Sequence, residues 1–536
     1  MNTRRFALVL VVLLLGGVAV ASAHDGEKLG TVNFPVSCAP AVQADFERAV
    51  ALLHSFWYEE ALKAFSAVTT ADPGCAMGYW GVAMSVYYPL WQPPSQAMLQ
   101  KGSAAIEKAR GLSATPREKD YIGAIDAYYR DNDKLDHRTR AVAYEKAMEQ
   151  VHRRYPDDRE AAVFYALALN ATAAPTDKTY ANQLKAGAIL DTVFAEQPDH
   201  PGVAHYIIHS YDYPPLATRG LVAARGYAKT APSVPHAQHM PSHIFTRLGL
   251  WQESIDSNRA SADAGKAYYG KLGKDTVWDQ TLHALDYIVY AYLQTGQDKQ
   301  ARAVLEELGS LQKSEPESFV AAYAYAAIPA RIALEQRRWS EAAMLAPASK
   351  VFPWDRFAWG EAITSFARAI GAARTGDATK ARAEAQKLDG YRAALIAAKQ
   401  TYWAEQVNIQ QQAAAAWVAR AEGRNDEAVK LMRASADLED STEKHPVTPA
   451  PVVPARELLA EMLLDLNQPS KALVEFEASA TREPNRFNGI YGAARAAELS
   501  GDRAKAKALY TRLVAMCDRA DGERPELRQA KAALAK

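Results

Sequence analysis

A recurring spacing of residues limits what this chain can fold into more than any other feature. Ala61 is followed by a large apolar residue at Phe65, a second apolar residue at Val68 and a proline at Pro73. The same frame returns as Ala186, Leu190, Val193 and Pro198. It returns again as Ala472, Phe476 and Pro484, with Ser479 in the second apolar place. Weaker copies carry glycine five residues before the small one: Gly249 with Ser254, Gly296 with Ala301, Gly376 with Ala381, Gly423 with Ala428, and Gly501 with Ala506. A small residue lets two antiparallel helices touch, glycine closes the turn between them, and proline ends the second helix. Alanine is abundant and β-branched alternation is scarce, so the whole chain reads as helix.

These hairpin marks resemble tetratricopeptide repeats (TPR), most specifically at Tyr58 to Pro73 and at Leu459 to Pro484. The resemblance implies an all-α, right-handed superhelical α-solenoid of TPR-like hairpins, roughly eight to ten of them at about 34 residues or somewhat longer each. We expect a signal peptide over 1–23, N-terminal hairpins over 24–130 and central repeats with a histidine-rich concave site over 131–310. Further repeats over 311–444 lead to a proline-rich connector at 445–454, with C-terminal repeats over 455–536. The connector, His445-Pro-Val-Thr-Pro-Ala-Pro-Val-Val-Pro454, has four prolines after its histidine and cannot be helix; it reads as a plain rigid linker.

Seven of the twelve histidines lie between His200 and His283, and the repeat frame orders them. His236, His239 and His243 precede Ser254 by 18, 15 and 11 residues; His283, Asp286 and Tyr290 precede Ala301 by the same intervals. Gly202, His205 and His209 precede Gly220 identically. Three consecutive repeats therefore place His or Asp at equivalent points of their first helices. By resemblance to TPR proteins, those points line the concave groove and touch ligand. Helices packed about 8–10 Å apart let imidazoles reach one ion from both sides. We expect His205, His209, His236, His239, His243, His283 and Asp286 to hold one transition-metal ion or two, with His54, His200, His445, Tyr290 and Arg247 as accessory positions. Imidazole ligands with one carboxylate suit copper, iron or zinc rather than calcium or magnesium.

Further stretches resemble a group of exported bacterial TPR proteins: Cys38-Ala-Pro40, His54-Ser-Phe-Trp-Tyr58, Asp72-Pro-Gly-Cys75-Ala-Met-Gly-Tyr-Trp-Gly81, His200 to His209, Met240 to Gly249 and His445 to Pro449. The resemblance implies fold and location, and no reaction. Arg4 and Arg5, the apolar run Phe6 to Val20 and Ala21-Ser22-Ala23 read as a cleavable export signal, leaving His24 first in a periplasmic or secreted chain without a membrane anchor. Of the three cysteines, Cys38 and Cys75 flank the first helical pair and suit a disulfide in an oxidising compartment; two buried thiols are the alternative. With 62 basic and 62 acidic residues and no basic block, nucleic-acid binding has no electrostatic support.

No phosphate loop, serine elbow, His-Glu-x-x-His or Cys-x-x-Cys is present, so any catalysis depends on the histidines. The motifs leave open whether the chain is an enzyme. The expectation is a binding scaffold with a histidine metal site in its groove, taking a protein, peptide or small molecule. The alternatives are a metal-dependent oxidoreductase or hydrolase on the same site, a metal carrier, and a metal-free peptide binder.

Overall fold

A computed structural model describes residues 27–90 and 92–535. The expected signal segment 1–23 and His24 lie outside the described residues. The chain is an all-α solenoid in which each helix packs on its sequence neighbours. The repeat frame explains why. Ala61, Phe65 and Val68 are buried, as are Ala186, Leu190 and Val193, and Ala472 and Phe476. The turn glycines Gly249, Gly296, Gly376, Gly423 and Gly501 all have positive φ, between 67° and 87°, a conformation that side-chain-bearing residues adopt at a cost. Sixteen residues beyond Phe65 and Phe476 stand Gly81 and Gly492, and a Cβ at either would collide with the ring of that phenylalanine. The same aromatic-on-glycine contact thus recurs near both ends of the stack.

The buried apolar residues form two large clusters, one spanning Leu29 to Trp278 and the other Trp251 to Ala496. They meet around the helices Trp251–Lys271 and Asp279–Gln294. Two parallel two-residue strands, Val277–Trp278 and Ser314–Glu315, are the exception to helix among the described residues. Cys38 and Cys75 are disulfide-bonded, which ties the N-terminal segment to the first hairpins. Cys517 is free and buried.

The proline-rich connector differs from expectation. It is non-helical, but it is not a linker between bodies. Val447, Thr448, Pro449, Ala450, Val452 and Pro454 are buried, and residues 441–454 run through the interior of the superhelix as a strap. Donors from several repeats hold its carbonyls. Lys178 Nζ and Arg482 donate to Thr442 O at 2.7 and 3.0 Å. Tyr402 Oη donates to Glu443 O at 3.2 Å and Tyr323 Oη to Ala450 O at 3.2 Å. Arg331 donates to Ala450 O and Pro451 O at 2.8 and 2.7 Å, and Arg247 donates to Pro449 O. Proline lacks an N–H but keeps its carbonyl, so a proline-rich strand satisfies such donors while presenting few donors of its own.

Candidate metal centre

The histidine columns sit on four helical segments: Pro201–Tyr211, Pro235–His239, Pro241–Leu248 and Asp279–Gln294. The stripe His236, His239 and His243 is not one unbroken helix, as its spacing suggested. Pro241 has no N–H to continue the ladder, so the helix breaks at Met240 and resumes through a tighter bond, His243 N to Met240 O at 3.1 Å. The column divides between two groups one step earlier, between His236 and His239 on the same short helix.

In the first group, His205, His209 and His236 bring their ligand nitrogens within 4.8 Å of one another, and in the second His239, His243 and His283 do the same. The rings do not line an open groove. His205, His236, His239, His243 and His283 are buried, and only His209 is partly exposed. Phe56 covers the first group, with the rings of His205, His209 and His236 at 4.4, 5.6 and 5.9 Å from it. Phe56 takes φ 53° to reach that place, a left-handed strain of roughly 1–2 kcal/mol that its setting must offset.

Hydrogen bonds determine which nitrogen His205, His239 and His243 turn towards their groups. His239 Nδ1 lies 2.5 Å from Asn258 Oδ1, and the amide is oriented by its own Nδ2 donating to Ser254 O at 2.7 Å. His243 Nδ1 lies 2.9 Å from Asp212 Oδ2, a carboxylate that only accepts. Both Nδ1 atoms therefore carry the proton, and in the neutral rings both Nε2 atoms carry a lone pair. Those two Nε2 atoms face each other at 3.0 Å. Two lone pairs at that distance repel unless a cation lies between them. In a tetrahedral site with metal–nitrogen bonds of about 2.0–2.1 Å, neighbouring nitrogens stand roughly 3.3 Å apart. In the first group His205 Nδ1 donates to His54 O at 2.6 Å, leaving its Nε2 as a lone pair 3.1 Å from His209 Nε2.

A proton is a poor substitute for the cation. Burial, and after it the neighbouring imidazoles, hold His205, His209, His236, His243 and His283 well below the ordinary imidazole range. Burial pushes His239 down to about 4. Neutral imidazole is the ligating form.

His54 and His200 do not join these groups. They flank Glu160 in a third, self-contained cluster. His200 Nδ1 accepts the Val203 N–H and its Nε2 donates to Glu160 Oε1 at 2.9 Å. His54 Nε2 donates to Glu160 Oε2 at 2.8 Å, and its Nδ1 accepts from Tyr206 Oη at 3.0 Å. Every ring nitrogen here has a protein partner, so no ion is needed. Burial works to raise the Glu160 carboxyl, but the two imidazoles outweigh it and bring it to about 2.

Asp286 is also displaced from its expected role. Its Oδ1 accepts from Arg331 Nε at 3.1 Å, so it orients the arginine that clamps the strap and joins neither histidine group. Asp286 stands only about 60° round the helix from His283, and what draws its carboxylate off is Arg331 on the adjoining Phe319–Glu335 helix. Tyr290 accepts from Arg486 at 3.0 Å, away from the rings. His445 stacks on Trp403 at 5.4 Å. Arg247 touches the site indirectly, 3.6 Å from Asp212. Three residues outside the expected set matter. Asn258 and Asp212 orient ligands, and Tyr287 Oη stands 3.2–3.4 Å from the His243 ring nitrogens. Asp212, three residues beyond His209, and Tyr287, one turn beyond His283, had a signal in sequence proximity, and Asn258 had none.

No family model matches the sequence, and no curated protein does. Solved structures of human IFIT1 overlap it loosely. The IFIT1 dimer with m7Gppp-AAAA is 12% identical over 82% of this chain and 90% of that one, TM-score 0.37. A monomeric IFIT1 mutant with Gppp-AAAA is 12% identical over 89% and 95%, TM-score 0.37. Overlap this loose transfers neither ligand nor activity.

Proposed function

We propose that this protein is an exported helical-repeat scaffold that holds transition-metal ions, copper, iron or zinc, on a buried histidine wall. The single observation that carries the reading is the 3.0 Å approach of His239 Nε2 and His243 Nε2 while both Nδ1 atoms are committed as donors. His239, His243 and His283 would hold one ion, and His205, His209 and His236 a second. Asp212 and Asn258 would orient their imidazoles, as outer partners of metal-bound histidine generally do. Three protein ligands leave a position open at each ion, which suits a reactive or exchanging site better than a sealed one.

The metal-free peptide binder is the weaker reading, because the chain's own strap occupies the groove beside the histidines. The cavity left beside it, about 80 Å³ and walled in part by Trp359, Tyr402, Trp403 and Gln406, suits a small molecule better than a long peptide. Export is supported by the bonded Cys38 and Cys75.

The test is elemental analysis of the mature chain recovered from the periplasm, beside His239→Ala, His243→Ala and a His445→Phe control. We expect two equivalents of copper, iron or zinc in the wild type and control, and loss of the second group's ion from both alanine variants at unchanged helicity. Metal absent from the wild type, or undiminished in both variants, overturns the reading.

A further inference from the structure

We infer that the two histidine groups form one dinuclear centre that takes a small bridging anion, rather than two separate metal sites. The inference rests on the metal reading above and adds the coupling and the ligand class. One turn of helix joins the groups: His236 serves the first and His239 the second, with ring centroids 5.8 Å apart. On the other side His209 of the first group lies 6.0 Å from His243 of the second. The two ions would therefore stand about one helical pitch apart or less, roughly 5 Å.

Charge selects the ligand. All six donors are neutral imidazoles, so two divalent ions would place four positive charges in a buried site. The buried carboxylates around the rings are already engaged, Asp286 by Arg331. Asp212 accepts from His243 and from Lys444 at 2.7 Å, and Glu160 is shared by His54 and His200. Burying uncompensated charge costs several kcal/mol per ion even after relaxation. An anion in the open position of both ions lowers that cost twice, whereas one bound to a single ion lowers it once. Access selects for size. His209, the partly exposed member, borders a narrow cleft with Leu90, Asn170, Tyr213 and Pro446, and the other five rings are closed off. A linear triatomic anion fits that approach and spans the two ions; a bulky organic acid does not.

The test uses the full mature chain loaded with two equivalents of copper(II), read by low-temperature electron paramagnetic resonance with spin integration, then titrated with azide. Coupling predicts an integrated signal well below two spins per chain and one azide per two coppers. His236→Ala, which removes one ligand of the first group, should leave one copper with a full single-spin signal. His209→Asn, at the partly exposed position, should do the same without disturbing the core. Two retained coppers that integrate to two spins and bind azide independently overturn the coupling while leaving the metal reading intact. A wild-type chain that retains no copper, and carries no iron or zinc, overturns both.

Discussion

At the scale of the residue, the facing Nε2 atoms make tautomer the deciding property, and tautomer is set one bond further out. Asn258 is not one of the proposed ligands, yet it obliges His239 to present Nε2. Asn258→Ala should lower metal affinity about 10–100-fold, the usual range for an outer partner of a metal ligand. Competition against a chelator measures this, and circular dichroism verifies the fold. The same burial gives the metal-free chain a pH dependence. An imidazole held below its unfolded value of about 6.5 takes up protons more readily when the chain unfolds, so protonation favours unfolding. Its stabilising contribution is complete above pH about 6.5 and declines as pH falls towards the folded value, about 4 for His239. We expect the metal-free chain to lose up to about 1.4 kcal/mol per pH unit for each such histidine in that window. Urea midpoints at pH 7, 6 and 5 should fall in that order, and a flat series would contradict it.

At the scale of the element, the strap behaves as part of the core. Arg331 is wholly buried and joins Asp286 to two strap carbonyls. Arg331→Met should cost about 3–5 kcal/mol, because it leaves a buried carboxylate unpaired. Combining it with Asp286→Asn should recover part of that loss, and the cycle is measured by denaturant unfolding. Proline content marked this segment as non-helical. It carried nothing about where the segment lies, because its fixed φ angles are the same in a solvent linker as in a packed strand. The Met240 break has a comparable origin. A three-and-four spacing is satisfied by a single helix or by two short ones in line, and Pro241 decided between them.

At the scale of the whole molecule, the solenoid is more than a row of neighbours. Arg486, near the C-terminus, donates to Glu335 at 2.5 Å, to Glu457 at 2.9 Å and to Tyr290 at 3.0 Å, all buried. Asn485 bonds back to Leu248, and Trp251 donates to Asn485 O. These contacts dock the last hairpins against the helices that carry His243 and His283. An ideal repeat array has only nearest-neighbour terms, and these cross-contacts should add cooperativity between its ends. Arg486→Met should therefore expose amides in 469–516 to faster hydrogen exchange and loosen 241–294, while 43–172 stays protected.

The hairpin frame, the turn glycines and the equivalence of the three histidine columns were legible in the sequence, because each is a local spacing that helix geometry converts directly into a face. The tertiary structure alone decided which columns combine. Asp286 faces an arginine 45 residues away, Glu160 draws off His54 and His200, and Asp212 and Asn258 choose the tautomers of His243 and His239. Those choices depend on what packs against each helix from distant repeats. Spacing along one helix specifies the direction of a side chain, not the partner it meets.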